Sequence, residues 1–265
     1  MVGYGPMTRT AVITGAAGGL GRALSEALQN DGWHIVLIDL PGPELDEAAA
    51  LPGRSAYACD LTDRAQLQAT CLAILTAHPT IDLVIYNAGV SQIGAFEDAD
   101  LDAHRKLFEI NYFAAVACAA AFLPAIRASR GTHLAISSVA GFAPLFHRTA
   151  YAGSKHALEG FFKSLRAEEE VHGVHVAIAA PSFVATNIGR PEAAQKGMVR
   201  PGSATDGMDY MSPQDAAREI LRGLQREKAF IPVGRVARLA SLINRIAPAF
   251  YHQQMVRQVA GKQAR

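Results

Sequence analysis

A tyrosine and a lysine stand four positions apart in "AYAGSKHALEGF", residues 150–161, where the sequence reads as the start of a helix. At i and i+4 two side chains share a face, which sets the ammonium of Lys155 near the phenol of Tyr151. A free phenol titrates near ~10, and a neighbouring cation favours its ionised form, so the pair is a way to make a general acid or base. Taken alone, the pattern reads first as a solvated helix face, where this spacing is common. Ser138 adds a second group: it closes the apolar run "LAISS", where a hydroxyl can hydrogen-bond a carbonyl or alkoxide oxygen. The elements around these residues must decide between the two readings.

Short β-branched runs alternate with helical patterns. "TAVIT" (10–14), "HIVLID" (34–39), "SAYAC" (55–59), "DLVIYN" (82–87), "THLAIS" (132–137) and "VHVAIAA" (174–180) read as strands. Continuous apolar strands separated by helices imply an α/β fold: one Rossmann-type, doubly wound parallel sheet with helices on both faces. Ser138 then falls at the C-terminal end of a strand, where open parallel sheets bind ligands. No linker or repeat divides the chain, so residues 1–265 read as a single domain. Within it, 1–8 read as a loose tail, 188–211 as a substrate lid rich in Gly and Pro, and 234–265 as an amphipathic helical extension. "SPQDAAREILRGLQ" reads as a helix capped by Ser212 with Pro213 in its first turn.

Directly after the first strand comes "TGAAGGLGRAL". Gly15, Gly19 and Gly21 permit a tight turn and let backbone N–H groups approach a pyrophosphate at the positive end of the following helix. The second strand ends at Asp39, whose carboxylate can accept hydrogen bonds from an adenosine ribose and would repel a 2′-phosphate. No basic residue follows it immediately and Gly18 sits in the loop, so NAD is expected as cofactor in preference to NADP.

These residues carry a resemblance. "TGAAGGLG", "CDL" with Asp60, "NAG" at 87–89, Asn111, Ser138 and the Tyr151 and Lys155 pair, in this order and spacing, resemble the short-chain dehydrogenase/reductase family from about Thr10 to Thr186. "SKHALEGFFKSLRAE" and the tail resemble its retinol- and hydroxysteroid-dehydrogenase-like branch. The resemblance implies that Leu20 joins the glycines at the cofactor, that Asp60 and Leu61 flank the adenine, and that Asn87, Ala88 and Gly89 line the cofactor. Pro181, Val184 and Thr186 in "PSFVATNI" match the segment that holds the nicotinamide carboxamide. Tyr151 would exchange a proton with the substrate oxygen as hydride moves, and Ser138 would bind that oxygen. Lys155 would lower the phenol pKa and hold the nicotinamide ribose, and Asn111 would position a water that links Lys155 to solvent. The implied activity is interconversion of a secondary alcohol and a ketone. Two positions depart from the family pattern: Tyr86 replaces the first Asn of Asn-Asn-Ala-Gly, and Ser182 replaces the glycine after Pro181. A non-catalytic NAD-binding sensor or scaffold on the same fold is the alternative, and the joint presence of Tyr151, Lys155, Ser138 and Asn111 argues against it.

The rest of the composition narrows the partners. With 25 Lys plus Arg against 24 Asp plus Glu, no overall charge draws the chain to nucleic acid, and the partner is expected to be a small molecule. Val90, Phe96, Phe142, Pro144, Leu145, Phe146 and Phe183 lie near the expected site and favour a lipophilic substrate. Cys59, Cys71 and Cys118 read as reduced, buried side chains of a cytoplasmic protein, and no metal site is expected from the nine histidines. "EEE" at 168–170 reads as a solvated helix face, and His147 and Arg148 read first as structural loop residues, with contact to substrate from the loop between Ser138 and Tyr151 as the second reading. The run Tyr112–Ile126 is too short to span a bilayer and reads as a buried interface helix. From Arg235 onward, Val236, Leu239, Leu242 or Ile243, Ile246 and Phe250 fall at helical spacing. That stripe is expected to cover a subunit, with peripheral membrane contact as the second reading. A homodimer or homotetramer follows from the resemblance.

Overall fold

The structure is a computed structural model that describes residues 9–186, 198–199 and 210–263. The tail at 1–8 lies outside the described residues, as does the lid at 188–211 except for 198–199 and 210–211. In chain order the elements are β1 (Thr10–Thr14), α1 (Gly19–Asn30), β2 (His34–Asp39), α2 (Pro43–Ala49), β3 (Arg54–Ala58) and α3 (Arg64–Ala77). Then come β4 (Leu83–Tyr86), β5 (Ser91–Gln92), α4 (Leu101–Phe108), a π-helical turn (Glu109–Phe113), α5 (Ala114–Ser129), β6 (Thr132–Ile136), α6 (Thr149–Glu169) and β7 (His175–Pro181). The chain closes with β8 (Met198–Val199), α7 (Pro213–Gln225), β9 (Phe230–Val233), α8 (Arg235–Ile246) and α9 (Pro248–Gln263).

Seven strands form one parallel sheet in the order β3-β2-β1-β4-β6-β7-β9. Alternation along each strand sends Ile13, Leu37, Ile85 and Leu134 to one face, under α1 and α7, and Val12, Val36, Val84 and Ala135 to the other, under α3, α5 and α6. Both faces are therefore dry, and fully buried side chains such as Phe122 and Phe162 contribute about 1.5–3 kcal/mol each. The six anticipated strands are all present. The seventh, β9, was not anticipated because its "FIPV" contains a proline; it is tolerated because β9 is the edge strand. β5 pairs antiparallel with β8, a small ladder that the sequence pattern did not reveal.

Several expectations need correction. α4, the π turn and α5 form one helical run, Leu101–Ser129, long and apolar enough by length and composition to cross a membrane, although Tyr112–Ile126 alone is not. Its inward face packs Cys118, Phe122 and Ile126 into the core. "EEE" is not uniformly solvated: Glu169 is buried and takes Nε and Nη2 of Arg127 on α5 at 2.8 and 2.6 Å, because a carboxylate can be buried when a forked cation meets it. The C-terminal helix is broken at Ala247 (φ −137°, ψ 64°), where the following Pro248 disfavours helical geometry. The small residues Ala237 and Ala240 face inward with Tyr251 against Val139 and Ala143, whereas Leu239, Leu242, Ile246 and Phe250 are 51–72% exposed. The three cysteines are free and buried, as expected.

Tyr86 shows how one departure is accommodated. Its hydroxyl meets Nδ1 of His133 at 2.6 Å in the core, and its ring lies 4.8 Å from that of Phe162. Burial drives the His133 imidazole down to about 4 from 6.5. Between these values the unfolded chain binds a proton that the folded chain refuses, so the stability present above pH 6.5 is lost as pH falls towards about 4. We expect this to remove up to about 3 kcal/mol, seen as a falling urea midpoint that flattens in His133→Gln.

Candidate active site

The C-terminal ends of β1, β2, β4, β6 and β7 converge on one edge of the sheet. The glycine loop begins there at Gly15, whose φ of +64° is the left-handed region, and a Cβ at this position would lie 2.7 Å from Ala88 Cα. A Cβ on Gly19 would lie 2.7 Å from the backbone oxygen of Thr186, and Leu20 is buried in the core behind the loop. The loop is thus pressed between the segment after β4 and the segment after β7. Asn87 and Thr14 hold the first contact: Asn87 Nδ2 donates to Thr14 O and Gly15 O at 3.1 and 2.8 Å, and Thr14 Oγ1 accepts from Asn87 N and Ala88 N at 3.1 Å each. Thr14 went unnoticed in the sequence; its place just before the first glycine was the available signal.

Asp39 Oδ2 accepts from Ala17 N at 2.7 Å, which ties the end of β2 to the same loop. Asp60 is exposed and its Oδ1 accepts from Thr62 N and Oγ1 at 2.9 and 2.7 Å, closing a turn beside half-buried Leu61. Beyond β7, Pro181 leads to Val184, which bridges to Met211, and to Thr186 over the glycine loop. The second departure is also accommodated here, because Ser182 Oγ occupies the space a Cβ on Gly234 would take, 2.7 Å away. These features fit a dinucleotide: glycines that no side chain could replace, a carboxylate at the end of the second strand, and an N-terminus of α1 that no side chain caps.

The residues that the sequence offers for proton transfer meet next to this cradle. Tyr151 is 7% exposed and Lys155 4% exposed, on the inward face of α6. Ser138 follows β6 and accepts from Ala140 N at 3.2 Å. Burial pushes the Tyr151 phenol up, while the nearby Ser138 hydroxyl and the Arg148 charge pull it down. The sequence reading gave the acidifying charge to Lys155. Its Nζ donates to Ile136 O at 2.8 Å and stands over the Tyr151 ring, 5.9 Å from its centre, and Arg148 adds a second cation that pulls the phenol down. Arg148, whose Nη1 donates to Ser91 Oγ at 2.9 Å, is therefore a site residue as well as a loop residue. Burial lowers Lys155 to about 8, with Glu159 pulling it back up.

Asn111 sits in the π turn, where Ala114 N reaches back to Glu109 O. Its Oδ1 accepts from Val90 N at 2.8 Å, and its Nδ2 donates to Val90 O and Ser154 Oγ at 2.9 Å each. The side chain bonds to backbone across the fold, not to its own helix. A Cβ on Gly89 would lie 3.2 Å from Asn111 Oδ1 and 3.4 Å from Lys155 Nζ, so the missing side chain is what lets both groups reach one spot. Val90 and Leu145 pack around Tyr151, but Phe142 is committed to Phe230 and the C-terminal helices, and Phe96 is 64% exposed.

A family model described as short chain dehydrogenase matches residues 9–197. The chain belongs to the short-chain dehydrogenase family. It is thereby an oxidoreductase. Among curated relatives, a "Dehydrogenase/reductase SDR family member 7B" from Bos taurus is 33% identical over 92% of this chain and 79% of its own length. The protein of the same name from Danio rerio is 31% identical over 93% and 84%. Both are compatible with the retinol- and hydroxysteroid-dehydrogenase-like branch. A short-chain dehydrogenase structure from Streptomyces avermitilis superposes with a TM-score of 0.80 at 25% identity, covering 97% of this chain and 99% of that one. One from Burkholderia cenocepacia, described as a complex with NADP, shares the fold with a TM-score of 0.80 at 22% identity, covering 94% and 97%.

Proposed function

We propose that this protein interconverts a secondary alcohol and a ketone, using NAD. The observation that carries the reading is the cluster of half-buried Ser138 with buried Tyr151 and Lys155 beside a glycine cradle at the C-terminal edge of the sheet. When bound, a nicotinamide nucleotide accepts or supplies the hydride. Gly15, Gly19, Leu20, Gly21 and Asp39 would hold its adenosine and pyrophosphate half with Asp60 and Leu61. Asn87, Ala88, Gly89, Pro181, Val184 and Thr186 would line the rest.

The chain's own residues then handle the proton. Ser138 holds the substrate oxygen by hydrogen bonding, and Tyr151 Oη gives it a proton in reduction or takes one in oxidation. Lys155 holds the nicotinamide ribose and keeps positive charge beneath the phenol, and Asn111 fixes the floor on which Lys155 rests. Apolar Val90 and Leu145 around Tyr151 support a lipophilic substrate. Absorbance of the reduced nicotinamide, followed with lipophilic secondary alcohols and short polyols, tests this; faster turnover of the polyols would reverse the substrate reading.

NAD is favoured because Asp39 ends the second strand beside the glycine loop and Arg22, the cation bonded to that loop, is already engaged. Arg22 donates to Ala17 O, Glu44 O and Glu47 Oε2 at 2.9, 2.8 and 3.3 Å. Asp39→Ala is expected to narrow the preference for NAD over NADP by roughly tenfold in titrated Kd, because it removes charge that repels the 2′-phosphate.

The exposed Leu239, Leu242, Ile246 and Phe250 support a homodimer or homotetramer of a cytoplasmic protein, in which this stripe is covered by another subunit. Leu242→Glu with Ile246→Glu is then expected to lower the sedimenting mass. If instead the mass stays and binding to anionic vesicles disappears, the stripe meets a membrane surface.

A further inference from the structure

We propose that Glu159 is a positioning residue for this site, a buried carboxylate that holds the positive charge on Lys155 and anchors the strand end carrying Ser138. The proposal rests on the reading of Tyr151, Lys155 and Ser138 as the proton-handling groups. Glu159 is 1% exposed and stands one helical turn beyond Lys155 on the same face of α6. Its Oε1 accepts from Ser137 Oγ at 2.8 Å, and its Oε2 takes Lys163 Nζ at 2.7 Å. Gly141, in the short turn after Ser138, leaves room for it: a Cβ there would lie 2.5 Å from Glu159 Oε1.

A buried carboxylate is costly unless it compensates something. Ser137 would be served equally by a neutral acceptor, and Lys163, whose side chain is 51% exposed, needs no partner in the core. What requires a negative charge is Lys155, whose ammonium is almost wholly removed from water and whose direct partner, Ile136 O, is neutral. Glu159 is the charge acting on Lys155, and the lowered Lys155 pKa of about 8 already includes its upward pull. The other neighbours of Lys155, Asn111 from the π turn and Gly89 from the loop after β4, are uncharged. The remaining ionisable groups around the pair are Tyr151, Arg148 and Lys163. Through Ser137 the same carboxylate also fixes the residue next to Ser138, so one side chain sets both the charge and the geometry of the site.

The test is the pH profile of kcat/KM for the full chain with NAD and the best alcohol found for the wild type. If cationic Lys155 is required, activity falls as pH rises through its pKa. Glu159→Gln keeps the shape and an acceptor for Ser137 but loses the charge, so this alkaline limb is expected to move down by about one pH unit. Ser137→Ala keeps the charge and is expected to leave the limb in place. A limb in Glu159→Gln that coincides with wild type, even with a lowered Tm, overturns the proposal. Should that variant fail to fold, exposed Lys163→Gln is read instead: losing the competing cation should raise the limb slightly, and an unmoved limb overturns the proposal. A wild type without turnover, or Tyr151→Phe as active as wild type, would count against the underlying catalytic reading.

Discussion

Tyr151→Phe is expected to bind NAD with wild-type affinity and to turn over alcohols about 10³-fold more slowly, because proton transfer by a placed side chain is worth roughly 10²–10⁴ in rate. The change removes one oxygen from a residue that is 7% exposed, and the ring keeps its packing against Leu107, Ala140 and Ala150. A fall in kcat with unchanged Tm and unchanged Kd for NAD would therefore report chemistry alone. Ser138→Ala should cost about 10²-fold, since it removes both an oxygen-holding donor and the hydroxyl that draws the phenol down. The two losses should not add fully, because Ser138 acts partly through Tyr151.

The second large effect concerns the cradle. Gly21 lies in the first turn of α1, and a Cβ there would strike Gly15 O and lie 2.8 Å from Ala16 Cα, both backbone atoms that no rotamer change can move. Gly21→Ala must therefore reshape the loop, at an overpacking cost of about 1–3 kcal/mol. Because the same backbone is expected to meet the pyrophosphate, Kd for NAD should rise roughly 10–100-fold. Gly160→Ala on α6 is the matched control: nothing lies within 4 Å of its Cβ, and replacing a helical glycine should stabilise by about 0.5–1 kcal/mol. Comparing Tm and NAD titration for the two variants separates a general glycine effect from a cradle effect.

What the sequence could and could not reveal follows from where information resides. The five inner strands were legible because a parallel strand buried on both faces is apolar without interruption, whereas β9, at an edge as β3 is, was hidden by Pro232, which is acceptable only there. The family, and with it the candidate cofactor and proton-handling positions, was legible because the order of these residues along the chain is a joint pattern. The surroundings of each were less so: the π turn that turns Asn111 to Val90, and the loop that brings Arg148 to the phenol as a further cation, depend on contacts between distant segments. The same holds for Glu159, Glu169 and His133. A polar side chain is buried only if a partner awaits it, and Ser137, Arg127 and Tyr86 lie 22 to 47 residues away along the chain. In the C-terminal extension, helical spacing was read straight through Pro248. That break and the small size of Ala237 and Ala240 set these alanines, and not Leu239, Leu242 or Ile246, against Val139 and Ala143.

The most direct test of the central claim is the rate of nicotinamide reduction with NAD and a panel of lipophilic secondary alcohols, measured side by side for wild type and Tyr151→Phe. The account expects turnover in wild type and its near disappearance in the variant, with NAD binding intact in both. Equal rates in the two proteins would show that Tyr151 does not carry the proton, and NAD binding without turnover in either would make the chain a sensor or scaffold on a dehydrogenase fold.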